Sequence, residues 1–161
     1  MLKKHLLNFS IIILIFLIDR ISKLLIIGSP ETYEQYGISI TSFLNFNLIW
    51  NEGIAFGLLS FNEKIYYNLL TIFICLIVAV IIWLMLRSKG FEKLCYIMII
   101  GGSFGNVFDR IFYSAVPDFI DIHFNNIHWF IFNVADIFVT LGIFCLISIE
   151  IFSKKINENH K

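Results

Sequence analysis

The chain has 161 residues, of which 58% are hydrophobic and 17% aromatic, and its formal net charge at pH 7 is zero. A mean hydropathy of +0.83 is far too high for one soluble core of this length, so a soluble globular domain is excluded. The sequence predicts an integral membrane protein, and its zero net charge gives no indication of a nucleic-acid partner.

Four apolar runs have the length of a membrane-spanning helix, which needs about 20 apolar residues. They cover residues 6–27, 65–86, 94–112 and 131–152. The runs predict one domain, residues 1–161, with an all-α integral membrane fold of four transmembrane helices. Cys75, Cys95 and Cys145 fall inside the runs without disulfide or metal spacing, so we interpret them as packing residues.

Basic residues predict the orientation of these helices. They lie before the first run, between the second and third, and after the fourth: Lys3, Lys4, Arg87, Lys89, Lys93, Lys154, Lys155 and Lys161. The positive-inside rule places those segments, and both termini, in the cytoplasm. Residues 28–64 and 113–130 contain one lysine and no arginine, so they are expected to face outward.

The first run is interrupted in its far half by Asp19, Arg20 and Lys23, and no small-residue cleavage site follows it. It is therefore interpreted as a retained helix and not as a cleaved signal peptide. Asp19 and Lys23 are four residues apart and share one helix face, so they are expected to pair. The pair either orients the helix against its neighbours or supports a site at the same depth.

Residues 28–64 change from helical runs to a mixed pattern in which Leu44, Phe46, Leu48 and Trp50 alternate with other residues. A period of two predicts a short, half-buried strand in a small extracytoplasmic β element. The turn that follows, residues 51–57, contains glycines that leave backbone amides open.

The third run places small and polar residues near its outer end. Gly101 and Gly105 have the spacing that lets another helix approach closely. Asn106, Asp109 and Arg110 follow at helical spacing, so they are expected to share a broad face. A structural ion pair remains one explanation of this group.

Two further carboxylates are harder to explain as structure. Asp118 follows Pro117, which restricts its neighbours, so Asp118 is expected in an outer loop just past a rigid bend. Asp136 is expected about one turn inside the fourth helix, with no lysine or arginine near it in sequence. A charge at bilayer depth costs about 2.5–3.5 kcal/mol, so its presence indicates a function.

Two neighbouring carboxylates share a proton, because both cannot ionise cheaply. One then acts as a base towards water and the other as an acid towards a leaving nitrogen, which is the chemistry of aspartic proteases. Asp118 and Asp136 are the candidate pair. The residue pattern alone leaves open a catalytic dyad, a proton or ion pathway, and structural polar packing.

A metal site is a weaker hypothesis. The ligand types are present in Asp118, Asp121, His123 and His128, but their spacing matches no common zinc pattern. We therefore expect no metal and no cofactor.

Five segments, in this order, resemble the bacterial lipoprotein signal peptidases, or signal peptidase II, over nearly the whole chain. They are DRISK at residues 19–23, NEGIAF at 51–56, GGSFGNVFDR at 101–110, VPDF at 116–119 and FNVAD at 132–136. Each motif alone is weak, whereas five in order on a four-helix membrane chain are highly specific.

The resemblance implies an aspartic endopeptidase that removes signal peptides from diacylglyceryl-modified prolipoproteins and cuts just before the lipid-bearing cysteine. It places the dyad at Asp118 and Asp136. Substrate-binding or supporting positions are then Asp19, Lys23, Asn51, Gly53, Asn106, Asp109, Arg110, Asn133 and Ala135. Arg20 stands where many relatives have a neutral polar residue, and Ile54 where a small one is frequent.

The expected setting is the bacterial cytoplasmic (inner) membrane, with the site at its outer face. The expected partners are diacylglyceryl-modified prolipoproteins and membrane lipid, and no nucleic-acid partner is expected. The chain is expected to act as a monomer. The rival hypothesis is a small proton-coupled carrier or channel subunit in which Asp19, Asp109 and Asp136 relay protons. Its weakness is that the carboxylates cluster at one interface, while the second helix has none.

Overall fold

The computed structural model describes residues 2–53, 64–124 and 127–159. Over these ranges the chain forms long helices joined to one small sheet. The helices are α1 (Leu2–Ile27), α2 (Lys64–Arg87), α3 (Gly90–Tyr113) and α4 (Val134–Asn159), and the strands are β1 (Ile38–Thr41), β2 (Leu44–Asn51), β3 (Val116–Phe124) and β4 (Ile127–Phe132). A short π-helical turn, Glu31–Tyr36, lies between α1 and β1.

The long helices occupy the four predicted apolar runs. Two of them contain segments long and apolar enough to cross a membrane: Ile65–Arg87, with mean hydropathy 3.2, and Val134–Ser153, with 2.2. Helices α1 and α3 instead carry buried charged residues in their second halves. The fold is therefore mostly helical, with two clearly apolar helices and two that bring polar groups into the bundle.

The four strands form one antiparallel sheet in the order β1, β2, β3, β4. The alternating pattern at residues 44–51 predicted β2 correctly. The prediction of a loop over residues 113–130 was wrong, because β3 and β4 occupy most of it. Pro117 lies inside β3 and is paired with Trp50 of β2. A proline that indicates a bend is therefore compatible here with a strand that pairs with β2 on one side and with β4 on the other.

Helix α4 begins three residues later than the apolar run suggested. Ile131 and Phe132 belong to β4 and pair with Asp121 and Ile120 of β3. The apolar run of residues 131–152 therefore contains the last two residues of β4 as well as the first part of α4. Asp136 lies in the first turn of α4, as expected from its position in the sequence.

Glycines on α3 allow the helices to approach closely, as the sequence predicted. A Cβ atom at Gly101 would lie 2.8 Å from Cβ of Ile15, and one at Gly105 would lie 2.3 Å from Oδ2 of Asp19. Both neighbours belong to α1. On the adjacent face of α3, a Cβ at Gly102 would lie 2.4 Å from the backbone oxygen of Ala135 on α4.

Gly102→Ala is expected to lower the free energy of unfolding by about 1–3 kcal/mol, because backbone atoms of α4 block the added methyl group. Thermal unfolding in detergent would measure this change. The control is Ala79→Val, which adds methyl groups at an exposed position of α2 and should change stability little. Equal effects of the two substitutions would contradict the close approach of α3 and α4.

A small apolar cluster holds the sheet on the end of α1. It consists of Ile26 from α1, Leu48 from β2 and Phe119 from β3, all at most 5% exposed. Elsewhere many large apolar side chains point outward, for example Leu25 at 70% and Phe144 at 68% exposure. Apolar outer surfaces of this extent suit lipid contact, and the sheet marks one end of the bundle.

Candidate active site

Asp118 and Asp136 line one cavity of about 200 Å³ at the end of the bundle that carries the sheet. Asp118 comes from β3 and Asp136 from the first turn of α4. The remaining lining residues are Asn51, Ile74, Ser103, Asn106, Arg110, Val116 and Val139. The cavity is thus built from both strands and helices, with polar groups around the two carboxyl groups.

Asn133 joins the two carboxyl groups. Its Nδ2 donates to Oδ1 of Asp118 at 2.6 Å, while its Oδ1 accepts from the backbone N–H of Asp136 at 3.1 Å. In return, Oδ2 of Asp136 accepts from the backbone N–H of Asn133 at 3.2 Å. This reciprocal pattern is a capping box at the start of α4, so the fold of the helix end itself fixes Asp136.

Three asparagines are oriented so that each amide NH₂ group donates to a carboxylate of the cavity. Asn51 donates to Asp118 at 2.8 Å, and Asn106 donates to Asp136 at 2.8 Å. The Oδ1 atom of Asn51 accepts from the backbone N–H of Gly53, and that of Asn106 accepts from Lys23. Because each amide oxygen is bound elsewhere, the NH₂ groups must face the carboxylates.

The environment of Asp118 favours its neutral form. Burial, and next the negative charge of Asp136, raises the pKa of Asp118 to about 6, although hydrogen bonds from Asn51 and Asn133 act in the opposite direction. The protonated carboxyl group therefore persists below about pH 6 and is lost as the pH rises above that value.

Lys23 connects this cavity to a buried charge cluster, formed by Asp19, Arg20, Lys23 and Asp109. Its Nζ donates to Asp19 at 2.9 Å, to Asp109 at 2.7 Å and to Asn106 at 2.9 Å. These three bonds use all the donors of an ammonium group. The ion pair of Asp19 and Lys23, which their spacing predicted, is confirmed. Lys23 also orients the amide group of Asn106, which donates to Asp136.

Asp19 extends the cluster to α4. Its Oδ1 accepts from the backbone N–H of Ala135 at 2.9 Å, and Ala135 is fully buried. A carboxylate at the positive end of a helix is stabilised by the helix dipole. One charge cluster therefore ties α1, α3 and the first turn of α4 together beside Asp136.

Arg20 completes the charge balance of the cluster. Its Nη2 lies 2.5 Å from Oδ1 of Asp109 and 3.5 Å from Oδ2 of Asp19, and its guanidinium lies 4.9 Å from the ring centre of Phe108. Among the described residues, Arg20 and Asp109 form an ion pair, but these two atoms do not have the geometry of a hydrogen bond. Two cations and two carboxylates give the buried cluster zero net charge.

Arg20→Gln is expected to destabilise the protein by about 1–3 kcal/mol, because it leaves two buried carboxylates opposite Lys23 alone. Thermal unfolding in detergent would show the loss. Arg20→Lys keeps the charge and should retain most of the stability. If both variants lose the same amount, packing against Phe108 explains Arg20 and its charge does not.

Arg110 anchors the turn after β2. It is buried, its Nη2 donates to the backbone oxygen of Gly53 at 2.5 Å, and its guanidinium lies 5.7 Å from the ring centre of Tyr67. The sequence pattern did not identify Tyr67 on α2 as a contact of Arg110, and it also missed Ser103 in the cavity wall. An uncharged Tyr or Ser in an apolar run gives little signal of such a contact.

The metal hypothesis has no support among the described residues, where no group of three or more His, Cys, Asp or Glu side chains could hold an ion. Asp121 is buried and accepts a hydrogen bond from Nδ2 of Asn47 at 3.0 Å. The side chain of His128 and residues 54–63, which include Ile54 and the end of the NEGIAF motif, lie outside what the structure describes.

Long apolar helices, a small sheet at one end of the bundle and a polar cavity beside that sheet define a mostly helical membrane protein. A family model described as "Signal peptidase (SPase) II" matches residues 11–152. The chain belongs to the signal peptidase II family.

Similar proteins agree in name and in length. The chain is 51% identical to a lipoprotein signal peptidase of Pelagibacter ubique (strain HTCC1062), over 99% of this chain and 97% of that protein. It is 37% identical to one from Francisella tularensis subsp. novicida (strain U112), over 96% of this chain and 98% of that protein. The similarity therefore extends from the first helix to the last.

A solved structure has the same fold. It is described as a bacterial membrane enzyme determined by the in meso method at 2.3 Å resolution, with a TM-score of 0.76 and 26% sequence identity. The match covers 96% of this chain and 92% of that one. Helices and sheet are thus arranged as in a known membrane enzyme.

Proposed function

We propose that this chain is an aspartic endopeptidase that removes signal peptides from diacylglyceryl-modified prolipoproteins and cuts before the lipid-bearing cysteine. Membership of the signal peptidase II family supports removal of signal peptides from prolipoproteins. The observation that carries the aspartic mechanism is the pair formed by Asp118 and Asp136, which line one cavity and are joined through Asn133.

The pair performs the reaction as one acid and one base that share a proton. The ionised carboxylate takes a proton from water, and the water oxygen bonds to the carbonyl carbon of the scissile peptide. The protonated carboxyl group then gives its proton to the leaving nitrogen as the carbon–nitrogen bond breaks. The products are the free carboxyl end of the signal peptide and the amino group of the modified cysteine.

The surrounding side chains position this pair. Asn51, Asn106 and Asn133 direct amide N–H groups at the carboxylates. Lys23, which also donates to Asp109, donates to the amide oxygen of Asn106, and Asp19 accepts from the backbone N–H of Ala135 at the start of α4. Arg110 fixes the backbone at Gly53, beside Asn51, so we assign it to the wall that cradles the substrate.

We place four spans in the bacterial cytoplasmic membrane, with both termini in the cytoplasm and the dyad at the outer face. Arg87, Lys89 and Lys93 lie at the end of the bundle opposite the sheet, which agrees with the positive-inside rule. A substrate anchored by lipid in the outer leaflet then meets the dyad without leaving the membrane. Described residues of one chain line the cavity on both strands and helices, and we propose a single-domain enzyme that acts as a monomer.

The carrier hypothesis has no specific support. The buried carboxylates among the described residues are Asp19, Asp109, Asp118 and Asp121, and all lie at the sheet end of the bundle. A relay across the membrane needs titratable groups along the whole path.

The test is cleavage by the purified full chain in detergent of a prolipoprotein with and without its diacylglyceryl group. Mass spectrometry of the products is expected to show one cut, before the modified cysteine, and little cutting of the unmodified precursor. A cut elsewhere, or equal rates on both precursors, would overturn the proposed specificity.

A further inference from the structure

A second cavity lies at the opposite end of the bundle from the carboxylate pair. It has a volume of about 540 Å³ and opens between the first turns of α1 and the start of α3. His5, in its wall, precedes Asp19 by 14 residues on α1, which corresponds to about 21 Å along the helix axis. The cavity is therefore separate from the proposed catalytic site.

The mouth of this cavity is basic. Lys89, which precedes the first residue of α3, and Lys93, in the first turn of that helix, both line it, and His5 contributes from α1. None of the described residues that line the cavity is acidic. The neighbouring carboxylate of Glu92 accepts a hydrogen bond from the hydroxyl of Ser88 at 3.1 Å. The charge of the mouth favours an anion.

The inner wall is apolar. Ile97 is 2% exposed, and Ile11 packs against the same buried cluster of α1, α2 and α3 side chains. Leu7 and Leu94, also in the wall, are 61% and 37% exposed on the outer surfaces of their helices. The cavity thus continues from a basic mouth to an apolar surface that faces the hydrocarbon of the membrane.

We infer that this cavity binds an anionic phospholipid of the leaflet opposite the dyad. Its phosphate lies between Lys89 and Lys93, and an acyl chain follows the wall formed by Ile11, Leu94 and Ile97. Basic pockets between membrane helices are suited to lipid head groups. A free phosphate ion would use only the mouth, whereas a phospholipid matches both halves of the cavity. The inference does not depend on the proposed peptidase activity.

The test is native mass spectrometry of the full chain in detergent with phosphatidylglycerol or phosphatidylcholine of identical acyl chains. One phosphatidylglycerol per chain is expected to bind, with phosphatidylcholine much weaker. Lys89→Gln and Lys93→Gln should each weaken phosphatidylglycerol binding about fivefold, the effect of about 1 kcal/mol per lysine near an anionic lipid surface.

Arg87→Gln is the matched control, because Arg87 is nearby but packs over the ring of Trp83 at 4.0 Å and is not among the cavity residues. It should leave phosphatidylglycerol binding within twofold of wild type. Equal losses in all three variants would overturn the site in favour of general surface charge. Equal binding of the two lipids, or displacement of phosphatidylglycerol by an equal concentration of inorganic phosphate, would also overturn it.

Discussion

Asp118→Asn and Asp136→Asn are each expected to lower the rate of prolipoprotein cleavage by about 10³–10⁴-fold. Acid–base catalysis by one positioned group contributes about 10²–10⁴-fold, and each substitution removes either the base or the acid of this pair together with the proton that the two groups share. The substitutions keep the side-chain shape but remove the exchangeable proton. Single-turnover cleavage of a diacylglyceryl-modified precursor at high enzyme concentration measures the effect.

The matched control is Asp121→Asn. Asp121 lies three residues after Asp118 on the same strand and is also buried, but it contacts Asn47 and is not among the residues lining the carboxylate cavity. It should cleave within a few-fold of wild type once thermal unfolding shows that all variants are folded. Retention of normal cleavage by either dyad variant would remove that residue from the mechanism.

Lys23→Met is expected to lower the free energy of unfolding by about 3–5 kcal/mol. Breaking a buried ion pair leaves an uncompensated charge, which costs far more than the pair contributes when intact. Lys23 is fully buried and bonds two carboxylates, so its removal leaves Asp19 and Asp109 opposite Arg20 alone. Cleavage should also fall, because Asn106 loses the bond that orients it.

A second substitution separates charge from packing at this position. In Lys23→Met with Asp109→Asn, one cation again faces one carboxylate, so part of the lost stability should return. Lys89→Met, at an exposed position, should have little effect on thermal unfolding. A loss below about 1 kcal/mol in Lys23→Met, or no recovery in the double variant, would contradict a balanced buried cluster.

Local patterns predicted the parts of the fold that depend on one element. The apolar runs located the four helices, the alternation at residues 44–51 located β2, and the spacing of Asp19 and Lys23 predicted their ion pair. Each of these features depends on a period of the chain itself. They can therefore be predicted from the sequence of one element, without knowledge of the segments that pack against it.

The failures came from pairing between distant segments. The sequence predicted a loop where β3 and β4 lie, because Pro117 signals a bend and because β2, the strand that pairs with β3, lies about 70 residues earlier, as in the pair of Ile49 and Asp118. The partner of Arg20 could likewise not be predicted, since Asp109 lies on another helix. Only the folded chain brings these groups together.

The coupling of the two carboxyl groups can be tested by infrared spectroscopy of the purified chain, following the protonated carboxyl band of labelled aspartate as the pH changes. The wild type is expected to lose the Asp118 band with a midpoint near pH 6, and Asp118→Asn should lack it. Asp136→Asn removes the neighbouring negative charge, so the Asp118 midpoint should fall, while burial keeps it above the ordinary pKa of 3.8. An unchanged midpoint in Asp136→Asn would show that the two groups do not share a proton and would contradict the dyad.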